Sequence, residues 1–152
     1  MYDKILVPID GSPTSARGYE EAIALARALG SQLVVIHVID TLPMAVDMVP
    51  STTWQEIGDS LRQQGESLLG AARETATGHG VSTETRLVDA RTERVADIIV
   101  QEARDAGCDL VVMGTHGRRG FNRALVGSDA ELVLRHCPVP VLLVRHPDAH
   151  HG

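Results

Sequence analysis

Residues 109–128 read DLVVMGTHGRRGFNRALVGS. A short apolar run, Leu110 to Met113, empties into glycines at 114, 117, 120 and 127, with Ser128 next and Glu131 three residues on. A buried strand running into a glycine-rich loop and then a helix is a common α/β device for gripping phosphate. Glycine lets backbone N–H groups approach an anion without a Cβ in the way, and the helix N-terminus adds positive dipole. The stretch points to a nucleotide or another phosphorylated ligand.

Four further runs extend the pattern: Lys4–Ile9, Gln32–Val38, Ser82–Val88 and Val139–Val144. Apart from 82–88, the runs are nearly continuous in apolar residues, as strands buried on both faces require. Residues 82–88 are more polar and alternate, which places them at a sheet edge. Helical periodicity fills the gaps. Ser12-Pro13 opens the first helix as N-cap and first helical residue, and Gly30 closes it. A second helix is predicted over about 52–77, with Trp54, Ile57, Leu61, Leu68 and Ala72 as its stripe. A third is expected from about Thr92 to Ala106, and a fourth from Ser128 to just before Cys137-Pro138. The order β-α-β-α-β-α-β-α-β implies a parallel sheet with right-handed crossovers.

Composition agrees. Of 152 residues, 43% are hydrophobic and only 3% aromatic, so the core must be aliphatic. One domain over 1–146 is expected, with a short flexible tail at 147–152. His150 and His151 belong to that tail and read as frayed terminus rather than metal site. The longest irregular stretch, Asp40–Ser51, suggests a flap or a dimer contact. A net charge of −6 argues against nucleic acid as the main partner. Arg118, Arg119 and Arg123 nevertheless put a basic patch inside the glycine loop, suited to a small anion. Cys108 and Cys137 show no metal or disulfide spacing and read as reduced structural thiols. With no leader pattern and no long apolar run, the chain is expected to be cytoplasmic, with no membrane partner.

The glycine loop lacks G-x-x-x-x-G-K-[ST], and the only lysine is Lys4, which excludes a P-loop NTPase. G-x-G-x-x-G after the first strand is also absent. What remains is Gly114-x-x-Gly117, nine residues, then Gly127-Ser128. That pattern after a fourth strand, together with the opening ILVPIDGS and the closing RHCPVPVLLVR, resembles the universal stress protein family over nearly the whole chain. The resemblance implies a Rossmann-like open five-stranded parallel sheet, order 3-2-1-4-5, with helices on both faces. It also implies a homodimer, often through the last strand, and membership of the ATP-binding branch. Adenine would then sit by Pro8, Ile9, Asp10, Val38 and Met113. Phosphates would lie along Gly114, His116, Gly117, Arg118, Arg119 and Gly120, and against Gly127, Ser128, Asp129 and Ala130.

Several of these residues have plainer roles open to them. Asp10 and Ser12 can cap the first helix. Ser128-x-x-Glu131 has the form of a capping box. His37, between Ile36 and Val38, reads as a structural histidine. Asp129 stands where the family usually has a small or apolar residue, and a carboxylate there would repel a triphosphate. It is expected either to point away as a first-turn acid or to help hold Mg²⁺ or Mn²⁺ on the phosphates. No residue stands out as a water-orienting group, so at most slow ATP hydrolysis or autophosphorylation is expected. The family role is a nucleotide-dependent regulatory module of the stress response with an unidentified protein partner. The alternatives are an interaction module that binds no ATP and an adenylating enzyme. The latter is disfavoured because D-G-S-P-T-S stands where an S-G-G-x-D-S loop would be needed.

Overall fold

The computed structural model describes residues 1–40, 51–116 and 126–147, except the side chain of Ser51. Its elements are β1 (Lys4–Pro8), α1 (Pro13–Leu29), β2 (Gln32–Ile39), α2 (Ser51–Gly78), β3 (Thr83–Asp89), α3 (Val95–Asp105), β4 (Leu110–Gly114), α4 (Ser128–His136) and β5 (Val141–Val144). All four strand pairings are parallel, and the sheet order is β3-β2-β1-β4-β5. This is the Rossmann-like α/β arrangement that the family resemblance implies.

The order explains where the helices go. From β1 the chain steps twice in one direction, to β2 and β3, then returns to β4 on the other side of β1 and continues to β5. Crossovers of one hand put helices on opposite faces when the stepping direction reverses. Accordingly, α1 and α2 bury Tyr19, Ala22, Ile23, Leu69, Ala72 and Ala76 against Ile5, Val7, Leu33 and Val35. On the other face α3 and α4 bury Ile99, Ala103, Ala130 and Val133 against Leu6, Val34, Ile36 and Val111. Alternate residues of β1 thus serve opposite cores, as the period of two demands. The polar run forms β3 at one edge, with no residue of it fully buried. At the other edge is β5, only four residues long.

Local signals set several boundaries. Ser12 caps α1, its Oγ accepting the Ser15 N–H at 3.2 Å, and Gly30 ends it in the left-handed region at φ 69°. Helix α3 starts at Val95 rather than Thr92, because Arg91 at φ 53° and a turn from Glu93 N–H to the Ala90 carbonyl occupy the preceding residues. The capping box expected at Ser128 does not form. Gly127, extended at φ −62° and ψ 158°, takes the N-cap and moves Ser128 one place into the helix. Glu131 then turns outward to pair with Arg135 at 3.1 Å. Both cysteines are free, with Cys108 buried and Cys137 half-buried. Most of the expected flap (41–50), Arg123 and the tail histidines lie outside the described residues.

Candidate functional site

The chain reverses its stepping direction between β1 and β4, and their carboxyl ends open onto a cleft of about 560 Å³. A crevice at that switch point is where open α/β sheets take ligands. Eleven of the predicted residues line it: Pro8, Ile9, Asp10, Val38, Met113, Gly114, His116, Gly127, Ser128, Asp129 and Ala130. The other predicted ones, Gly117, Arg118, Arg119 and Gly120, lie outside the described residues.

The β1 exit is a tight turn. The Asp10 carboxylate accepts the Ser12 N–H at 2.9 Å, while the Asp10 N–H donates to Ser15 Oγ at 3.0 Å. Gly11 between them sits at φ 83°. Asp10 therefore shapes the start of α1 while lining the cleft.

The β2 exit presents backbone. Pairing with β1 ends at Pro8 opposite Ile36, one register short of the position that would engage the Val38 N–H. Even-numbered residues of β2 turn their amide and carbonyl groups toward β1, as Ile36 does when its oxygen accepts the Ile9 N–H at 2.9 Å. Val38 thus turns its N–H and C=O toward the β1 side at the cleft wall, where pairing with β1 has ended.

The β4 exit and α4 form the opposite wall. Gly127 donates its N–H to the Thr115 carbonyl at 2.6 Å, which ties the end of the glycine segment back to the strand. A Cβ at Gly127 would stand 3.0 Å from that same oxygen, so a side chain there would have to push the two backbones slightly apart. The first intrahelical bond of α4 runs from Glu131 N–H to the Gly127 carbonyl. First-turn amides ahead of it have no intrahelical acceptor and gather positive partial charge at the cleft. Gly114 has a different reason to be glycine: a Cβ there would meet the Thr14 carbonyl oxygen and Cγ2 at 2.8 Å. Its bareness admits α1, whatever else passes over its cleft side.

Several residues with no pocket signal in the sequence also line the cleft. Leu61, Gln64 and Leu68 come from α2, and Glu93, Arg94 and Val95 from the start of α3. Ser15, His37 and Thr115 also line the cleft, the first and last of them buried. The described lining carries four carboxylates, Asp10, Asp40, Glu93 and Asp129, and one arginine, Arg94, which pairs with Asp97 at 3.0 Å. Asp129 is exposed in the first turn of α4. No group of three or more His, Cys, Asp or Glu side chains suited to a metal occurs among the described residues.

A five-stranded doubly wound sheet with a glycine-started helix at its switch point defines a Rossmann-like α/β protein. The chain belongs to the universal stress protein family, whose model matches residues 1–145. A Methanocaldococcus jannaschii protein, universal stress protein MJ0531, is 33% identical over 147 residues, covering 97% of this chain and 84% of its own. A solved universal stress family protein from Burkholderia pseudomallei is 34% identical with a TM-score of 0.74, over 94% of this chain and 96% of that one. An Archaeoglobus fulgidus universal stress protein, solved in complex with dAMP, shares the fold at a TM-score of 0.62 and 22% identity, over 94% of this chain and 98% of that one.

Proposed function

We propose that this chain binds ATP in the switch-point cleft and acts as a nucleotide-dependent regulatory module of the cytoplasmic stress response. The observation that carries the reading is the pairing, across one cleft, of two complementary surfaces. One is the open donor–acceptor edge of Val38, bordered by the apolar side chains of Pro8, Ile9 and Met113. The other is the Gly127-capped N-terminus of α4. The first suits the hydrogen-bonding edge of adenine, and the second suits phosphate. The dAMP complex of the Archaeoglobus fulgidus relative supports an adenine nucleotide as the ligand class.

In this reading adenine packs by Pro8, Ile9, Val38 and Met113, and Asp10 accepts from the ribose. Gly114, His116, Gly117, Arg118, Arg119, Gly120, Gly127, Ser128, Asp129 and Ala130 follow the phosphates. The carboxylates around the cleft repel a triphosphate, so its charge is carried by the loop arginines or by Mg²⁺ or Mn²⁺. An ion held there would draw most of its oxygens from phosphate and water, because the described side chains do not form a complete ligand set. Homodimerisation through the β5 edge fits the apolar exposure of Leu134 (53%) and Leu142 (38%).

The test is calorimetric titration of nucleotide-stripped protein with ATP, with and without Mg²⁺. Micromolar binding, about −8 kcal/mol, that is lost in Gly127→Val supports the reading. Absence of binding to the wild-type protein would overturn it in favour of an interaction module.

A further inference from the structure

Where β1 and β2 part, the bond that would next extend their ladder runs from the Val38 N–H to the Ile9 carbonyl. The Ile9 oxygen is engaged instead by His37, whose Nδ1 lies 2.8 Å away. A carbonyl oxygen only accepts, so the imidazole holds a proton on Nδ1, and in the neutral ring Nε2 is the acceptor nitrogen. The side chain of β2 has replaced the backbone of β2 as partner to the end of β1.

The ring is also held from outside the sheet. A Cβ on Gly65 of α2 would stand 2.8 Å from His37 Cδ2 and 2.7 Å from Leu87 Cδ1. Glycine at 65 lets the helix backbone close over the imidazole and press it toward Ile9. The residue after Ile9 is Asp10, whose own amide is fixed on Ser15 Oγ.

We propose that His37 is a positioning residue for the nucleotide site. Its Nδ1–H occupies the Ile9 carbonyl, which keeps the peptide edge of Val38 open to a ligand and sets the turn that carries Asp10. Gly65 makes α2 part of the same clamp, so a shift of α2 is felt in the cleft. This inference rests on the adenine-nucleotide reading of the cleft.

The experiment compares wild type, His37→Asn, His37→Leu and Gly65→Ala. Asparagine can present an amide N–H near where Nδ1 stands, and leucine keeps bulk without a donor. Three readouts are taken: ¹⁵N NMR of the imidazole in ligand-free protein, hydrogen exchange at the Asp10 amide, and calorimetric titration with ATP. The expected result is an Nδ1–H ring and faster Asp10 exchange in His37→Leu and Gly65→Ala. ATP binding is expected to weaken about tenfold in those two and to stay within about threefold of wild type in His37→Asn. A ring protonated only on Nε2 overturns the proposal. So does His37→Leu with wild-type exchange and affinity, or His37→Asn as weak as His37→Leu. Failure of wild-type protein to bind ATP would overturn the function proposed above. Unchanged Asp10 exchange in His37→Leu would separately overturn the positioning role.

Discussion

The hydroxyl of Tyr19 in α1 donates a hydrogen bond of 2.6 Å to the main-chain carbonyl of Ala72 in α2. Both residues are buried on the same face of the sheet. The bond links α1 directly to α2, which lies over β2 and β3. Removing the hydroxyl leaves the Ala72 oxygen its helical partner, so the loss is one net hydrogen bond and not an orphaned acceptor. Tyr19→Phe is expected to destabilise by about 1 kcal/mol and to lower Tm by roughly 2–4 °C, measured by urea and thermal unfolding.

Burial pushes the Tyr19 hydroxyl up to about 12 and the Cys108 thiol up to about 11. Each group stays neutral in the folded chain at a pH where the unfolded chain releases the proton. The stabilisation is therefore complete below the unfolded thiol's ordinary value of 9.0. It is lost as pH rises, first through the Cys108 window from 9.0 to about 11, then through the Tyr19 window from 10.0 to about 12. Urea midpoints should fall as pH is raised from about 8 to about 10.5. Cys108→Ala should flatten the lower part of that slope and Tyr19→Phe the upper part. A profile unchanged in both variants would mean that other groups govern alkaline unfolding.

Glycine at 114 serves the approach of α1. Thr14 and Gly18 lie one turn apart on the helix face that meets β4. A Cβ on Gly114 would lie 2.8 Å from the Thr14 oxygen, and one on Gly18 would lie 3.1 Å from the Gly114 nitrogen. Gly114→Ala is expected to cost about 1–3 kcal/mol through displaced backbone. Trimming Thr14 to serine should not restore stability, because the clash is with the main chain as well as with Cγ2. Full rescue by Thr14→Ser, read from unfolding midpoints, would show that only the methyl group is crowded.

Four of the β-strands were legible because they are written as short aliphatic runs, and the fifth, β3, because its polar alternation marks a sheet edge. Ser12-Pro13 and Gly30 were legible because a cap is decided within a few residues. Ser128 and Glu131 misled for the same local reason: the spacing of a capping box is present, yet Gly127 reaches the Thr115 carbonyl and takes the cap position itself. The strand-end residues of the cleft followed from the family resemblance, which implied the strand order. Leu68, Arg94 and Val95 did not, because they reach the cleft through the packing of α2 and α3, which no spacing encodes. His37 was read as structural, and its bond to Ile9 gives that reading a concrete partner while placing it on the cleft wall. The paired bareness of Gly65 and imidazole of His37 was a signal in principle, but only tertiary contact joins residues so far apart in sequence.

Asp129 places a carboxylate on the cleft wall. It occupies the first turn of α4, where a carboxylate is favoured by the helix dipole by about 0.3–1 kcal/mol at an exposed site. The same turn is proposed to face phosphate, so the carboxylate and the ligand compete for one field. Two like charges about 4 Å apart repel by about 1 kcal/mol in water. Asp129→Asn is therefore expected to tighten ATP binding roughly fivefold in the absence of divalent metal while lowering the stability of α4 slightly. Titration in chelator and again in Mg²⁺ checks this. If the substitution instead weakens binding only when Mg²⁺ is present, Asp129 is part of the metal's shell, and the ion offsets the repulsion that the bare sequence implies.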